Sequence, residues 1–411
     1  MSEWQDKNEG GYLRKRNRRS GAMTKEVLMG LAQRLGELVA VGFGTRMAPP
    51  RQKAGALSRI IAFMEITRPF VLIMGPPIVG AGAVLALNGF PSLSLILVGS
   101  LTVLIAVAGM HSFNDWADRK RDLQVWPHRP VPSERIKNKE ALIFSLLLFA
   151  LALIMTYYIF NPLTFMIMLI CVVLGMIYSL FARDRIGYLT LPLIVALHPV
   201  GGWAAFSPET LFTRIDPWLL FILAAFWQAG HIMVYSPGHP LRQIGGENKT
   251  ELPSLFYTPS PYGASVMGVI FLALTAGISI WLYVVFDLGI IYLMMVVVGA
   301  LLALAAAVYL VLNPDSQRRS LLAFNTASLY EMLLFGGILV DVFFRTVVLK
   351  YFPAACEFFK ANLDIITSII MVLCAVATAA FVFATFVICA FTLLVINREP
   401  LKKIVEDLNS F

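Results

Sequence analysis

Long apolar runs broken by short polar ones dominate this chain. Ten stretches, near 69–88, 93–110, 141–160, 163–181, 187–206, 217–235, 263–285, 288–312, 320–344 and 364–396, are each long enough to cross a hydrocarbon core of about 30 Å as a helix. They lack the sustained alternation that strands of a membrane barrel need. The pattern therefore predicts an all-α polytopic membrane protein.

Composition agrees, with 58% of the 411 residues apolar and only 14% charged. Charge then sets the orientation. Arg119, Lys120, Arg121, Arg129, Arg135, Lys137 and Lys139 follow the second span, Arg183 and Arg185 the fourth, Arg242 and Lys249 the sixth, and Arg318 and Arg319 the eighth. All of these loops fall on one side, and the opposite loops carry little that is basic beyond Arg214 and the 345–360 segment. By the positive-inside rule, both termini and these basic loops are cytoplasmic. Lys120 and Arg121 are read as orientation charges, and the net charge of +8 requires no nucleic-acid partner.

Residues 1–60 form a basic N-terminal tail with Arg14, Lys15, Arg16, Arg18 and Arg19, followed by an amphipathic stretch from Thr24 to about Val41. A disordered topogenic tail and a helix lying on anionic lipid both fit it. No secretory signal peptide is indicated. Cys171, Cys356, Cys374 and Cys389 are scattered without metal-type spacing and are read as packing residues.

The richest chemistry lies just past the second span, where Asn114-Asp115 leads into Asp118 and Asp122 and then Arg129-Pro130-Val131-Pro132-Ser133-Glu134-Arg135. Asp115, Asp118 and Asp122 stand at i, i+3 and i+7, so one helix face would carry all three carboxylates. Mg²⁺ takes one or two carboxylates and completes its shell with water and phosphate oxygens, so the cluster reads as a site for Mg²⁺ and a diphosphate. Arg129, Arg135, Arg183 and Arg185 are the candidate phosphate contacts, since a planar guanidinium meets phosphate oxygens bidentately. A solvated topogenic loop is the competing reading.

These residues, with Glu65-Ile66-Thr67-Arg68-Pro69 before the first span and Tyr178-Ser179 after the fourth, resemble the signature of the UbiA superfamily of intramembrane prenyltransferases over about residues 60–345. The resemblance implies a bundle of nine transmembrane helices around a cavity open to lipid, with the C-terminal extension 346–411 and its tenth span outside the shared core. It also implies an isoprenyl diphosphate donor, a lipophilic acceptor, Mg²⁺ as cofactor, and Asn114, Asp115, Asp118 and Asp122 as metal and diphosphate ligands. The family's second aspartate pair is missing from the loop after the sixth span. There, His239 and Gln243 stand in the corresponding positions, Glu247 is the nearest carboxylate, and Arg242 and Lys249 are further phosphate contacts. A second metal held through Glu247, or direct phosphate contact by His239, Arg242 and Lys249, are both open.

Within the spans, Trp227-Gln228 and His231 resemble a stretch of the heme O synthase branch, and Gln228 and His231 would share a helix face. An interhelical hydrogen-bonded pair is the alternative. His111 would support the acidic motif from one turn away, and His198 would face either the cavity or a packing interface. Glu331, near Asn325, Tyr330 and Asp341, is the candidate for an acceptor contact or base lining the cavity. Trp203, Trp218 and Trp227 could line a prenyl pocket and face a carbocation through their π clouds, but are read as lipid-facing or interfacial.

The reading is a Mg²⁺-dependent isoprenyl transferase with its active site on the cytoplasmic face. A terpene cyclase without acceptor and a non-catalytic isoprenoid-binding relative are the alternatives within this superfamily. A transporter fits less well, because the charge cluster lies at a helix end and not at midplane. Acceptor identity, donor chain length and oligomeric state are left open by the sequence.

Overall fold

The structure, a computed structural model, describes residues 56–182, 190–238 and 260–348. These residues are helical nearly throughout, and eight helical stretches are long and apolar enough to cross a membrane. A ninth apolar helix, Thr190–Phe206, has 17 residues. The chain is an integral multi-pass membrane protein. These nine elements correspond to the first nine expected spans, and the tenth lies outside the described residues.

The elements in order are α1 (Ala56–Thr67), α2 (Pro69–Leu72), α3 (Gly75–Leu87), α4 (Leu93–Val125), α5 (Asn138–Ile159), α6 (Pro162–Ile177), α7 (Thr190–Phe206), α8 (Asp216–Tyr235), α9 (Pro261–Val285), α10 (Ile290–Val311) and α11 (Gln317–Phe343). Their starts are written in the sequence. Asn161 and Ser260 each accept a backbone N–H from the residue three further on, at 3.0 Å, and each precedes a proline at the first helical position.

The helices pack as a ring. Sequential neighbours touch from α3 through α11, and α11 returns to pack on α3. At the α3–α7 crossing the two backbones are in contact: a Cβ on Gly82 would overlap the Pro199 carbonyl, and one on Gly202 the Val79 carbonyl. Small residues bring membrane helices together in this way, because lipid offers no hydrophobic drive to do it.

Enclosure differs around the ring and locates the interior. In α8, 67% of the apolar stretch is buried, against 22% in α4 and in α5. The large side chains left exposed, such as Leu97, Leu101, Ile143, Leu147 and Leu301, form the surface that lipid would cover.

Two local irregularities shape the chamber described below. Arg68, between α1 and α2, holds a left-handed conformation with φ 53° and ψ 64°, and α6 ends in a π-helical turn, Tyr178–Ala182. Left-handed backbone is costly for a residue with a side chain, on the order of 1–3 kcal/mol, and such strain clusters at functional sites.

Candidate functional site

The acidic motif is helical, as its spacing predicts. α4 continues past the apolar stretch to Val125, which puts Asp115, Asp118 and Asp122 on one face with relative exposures of 2%, 8% and 4%. Each carboxylate has an arginine. Asp115 is paired with Arg68, Asp118 with Arg121 one turn away, and Asp122 with Nη1 of Arg129 at 2.7 Å. The same Nη1 of Arg129 lies 3.7 Å from Asp115, so this guanidinium spans two carboxylates. Its pKa is raised: burial opposes the charge, but Asp115 and Asp122 more than offset it. His128 is pushed the other way, below the ordinary imidazole value, by burial and then by Arg129 and Arg135.

Asn114, Asp118, Asp122, Arg68, Arg121 and Arg129 line a polar chamber of about 360 Å³. Asn114 donates to the Ser179 hydroxyl at 3.4 Å, tying the motif to the π-helical turn. Asp115 sits behind this wall, turned toward Arg68. A second, apolar chamber of about 470 Å³ is walled by residues such as Ile78, Val103, Ile167 and Trp227, a size typical of small-molecule sites. The two chambers share Met110, His111, Leu191, Ile194, Gln228 and His231. Gln228 and His231 thus line both chambers, as does His111, one turn before the acidic motif.

Several expectations are corrected. Arg135 was expected to meet phosphate, but its guanidinium is taken by Glu65 in a bidentate pair at 2.6 and 2.9 Å, with further bonds to the His128 carbonyl and the Ser133 hydroxyl. Its side chain is 5% exposed and that of Glu65 is 0% exposed, so the pair holds the α4–α5 connection against α1. Arg121, expected to serve orientation alone, pairs with Asp118 and lines the polar chamber. Trp203 and Trp227 are buried, not lipid-facing: their indoles donate to the Thr210 hydroxyl and the Ala327 carbonyl.

Arg68 was missed as a site residue although it stands within a quoted motif. Its role depends on a left-handed backbone that places it against a residue 47 positions away. Arg183, Arg185, His239, Arg242, Gln243, Glu247 and Lys249 lie outside the described residues.

Among the described residues, no three of His, Cys, Asp and Glu converge as a closed metal cage. The donor set nonetheless fits Mg²⁺, because the row presents hard oxygen donors on one face and leaves room for phosphate oxygens. Asp115, Asp118 and Asp122 balance Arg68, Arg121 and Arg129 in number, so these six groups carry no net charge together.

The fold and site define a helical membrane protein with a charged chamber backed by an apolar one. More particularly, the chain belongs to the UbiA prenyltransferase family, which matches residues 74–329. It is 29% identical over 262 residues to digeranylgeranylglyceryl phosphate synthase of Methanosphaera stadtmanae, covering 62% of this chain and 90% of that protein. It is 28% identical to protoheme IX farnesyltransferase of Desulforudis audaxviator, covering 69% and 89%. Its fold is similar to that of a UbiA homologue from Aeropyrum pernix K1 (TM-score 0.56, 20% identity, 66% of this chain and 98% of that one). The protein is a prenyltransferase of this family.

Proposed function

We propose that this protein transfers an isoprenyl group from its diphosphate to a lipophilic acceptor, with Mg²⁺, at the cytoplasmic face. The observation that carries this reading is the junction of the two chambers at Gln228 and His231. One chamber suits a diphosphate and the other an isoprenoid chain.

Arg68, Arg121 and Arg129 would bind phosphate oxygens, and Asn114, Asp118 and Asp122, with Asp115 behind them, would hold the metal. When bound, Mg²⁺ supplies charge neutralisation for the departing diphosphate. The even balance of the six charged groups supports this requirement, since a diphosphate brought among them needs added positive charge. Arg183, Arg185, His239, Arg242, Gln243, Glu247 and Lys249 remain proposed as further diphosphate or metal contacts from the adjoining loops. The apolar walls exclude water from the electron-poor carbon, which favours transfer over hydrolysis. They offer an isoprenoid little affinity beyond that of lipid itself, so their contribution is shape and dryness.

Relatives whose names are as different as digeranylgeranylglyceryl phosphate synthase and protoheme IX farnesyltransferase share the family, so the acceptor is described here by class. The positive-inside rule supports the cytoplasmic assignment, since the connection after α4 carries Arg129, Arg135 and Lys137 and Arg129 lines the polar chamber. The test is to incubate purified protein with Mg²⁺, farnesyl, geranylgeranyl or longer diphosphates and a membrane-lipid extract, and to search the extract by mass spectrometry. A new species heavier by one isoprenyl unit of the donor used is expected. Only free prenyl alcohol or cyclised hydrocarbon, with no prenylated lipid, would exclude transfer.

A further inference from the structure

Among the described residues, Glu331 of α11 is the only carboxyl group in the wall of the apolar chamber. It is 0% exposed, and neither of its oxygens has a hydrogen-bond partner among the described residues. Other polar side chains of α11 do have partners: the Tyr330 hydroxyl bonds to that of Ser279 at 2.7 Å, and Asp341 accepts from the Gly289 N–H and from Arg345, each at 2.8 Å. A buried carboxyl without a partner is expensive, so it needs an explanation that packing does not supply.

The same wall holds three histidines with a ring nitrogen left over, His111, His198 and His231. Nδ1 of His231 is buried without a partner among the described residues, and its ring is fixed between Trp227 and Phe324, with centroids 5.0 and 4.2 Å away. Trp227 donates to the Ala327 carbonyl at 2.8 Å, one turn before Glu331, which locks α8 against α11 at this level. Rigid surroundings with polar atoms left over are the pattern of a recognition site for a polar group on an otherwise apolar ligand.

We propose that Glu331, with Gln228 and His231, forms an acceptor subsite that recognises a hydroxyl group on a lipophilic molecule, a phenol or an alcohol. The proposal rests on the transferase reading of the two chambers and names what distinguishes the acceptor from surrounding lipid. A hydroxyl can both donate to a carboxyl oxygen and accept from a carboxyl proton, whereas an ether or ester can at most accept. An anionic group would be costly to bury there without a cation, so any phosphate or carboxylate on the acceptor would lie toward Arg68 and Arg129. Gln228 and His231 line both chambers, which sets the bound hydroxyl beside the passage to the diphosphate.

The test compares binding of para-nonylphenol and its methyl ether to the full-length protein in lipid nanodiscs by calorimetry, with pyrophosphate release from isoprenyl diphosphates measured in parallel. The wild-type protein is expected to prefer the phenol by about tenfold or more. Glu331→Leu should abolish the preference without lowering the melting temperature, because it removes an unpartnered group, and Glu331→Gln should retain it. Equal affinities in the wild-type protein, or a preference that survives Glu331→Leu, overturn the proposal; the wild-type comparison decides alone should that variant not fold. Pyrophosphate release without a phenol preference refutes this subsite and leaves the transferase reading standing. The converse result, preference without release from any donor, refutes the transferase reading and retains the hydroxyl site.

Discussion

Arg129 and Arg135 lie six positions apart in one connection, yet the structure gives them different work. Arg129 bridges Asp115 and Asp122 in the wall of the polar chamber, whereas Arg135 is consumed by Glu65. Their roles make opposite predictions. Arg135→Met should destabilise the protein by about 3–5 kcal/mol, because it takes the bidentate partner from buried Glu65, and Glu65→Leu combined with it should restore most of the loss. Thermal unfolding in lipid reads this directly. Arg129→Met should weaken diphosphate binding, raising the donor KM at least tenfold, and should affect stability less. The acidic face was legible because three aspartates at helical spacing need only a helix to be brought together. Their arginine partners were legible only in part: Arg121 and Arg129 follow in the same stretch, but Arg68 reaches Asp115 from 47 positions away through a break in the helix that no local pattern announces.

α4 illustrates what periodicity can and cannot mark. Hydropathy ends its span near residue 110, but the backbone stays helical for 33 residues, since no Pro or Gly interrupts residues 111–125 and the polar face finds solvent and partners at the chamber. Close packing elsewhere depends on glycine. Gly82→Val or Gly202→Val should prevent the α3–α7 crossing and yield protein that is not monodisperse on size exclusion, because each new side chain would meet backbone. Gly277→Ala, with open space around it, should behave as the wild-type protein. The crossings were invisible in the sequence, where Gly82, Gly202 and Gly277 look alike. The burial of Trp203 and Trp227 was hidden for the same reason, as an indole suits either an interface or a core.

Taken whole, the molecule is a ring of helices that turns aliphatic side chains outward and keeps its charge at one end of an inner cavity. That membrane class was plain from composition, and the ring closure of α11 on α3 came only with the structure. The orientation proposed from loop charge is open to labelling. In a cysteine-free background, Lys139→Cys should react with an impermeant maleimide from the cytoplasmic side, and Thr213→Cys from the opposite side; the reverse pattern would contradict the assignment. The protein's chemistry is tested by pyrophosphate release from isoprenyl diphosphates in lipid, with and without Mg²⁺, for the wild-type protein and Asp118→Asn. Release that requires Mg²⁺ and falls on the order of 10²-fold or more in the variant is the expected result. Release that is indifferent to Mg²⁺ and to Asp118, or no release with any donor and acceptor extract, would contradict the role given to the polar chamber.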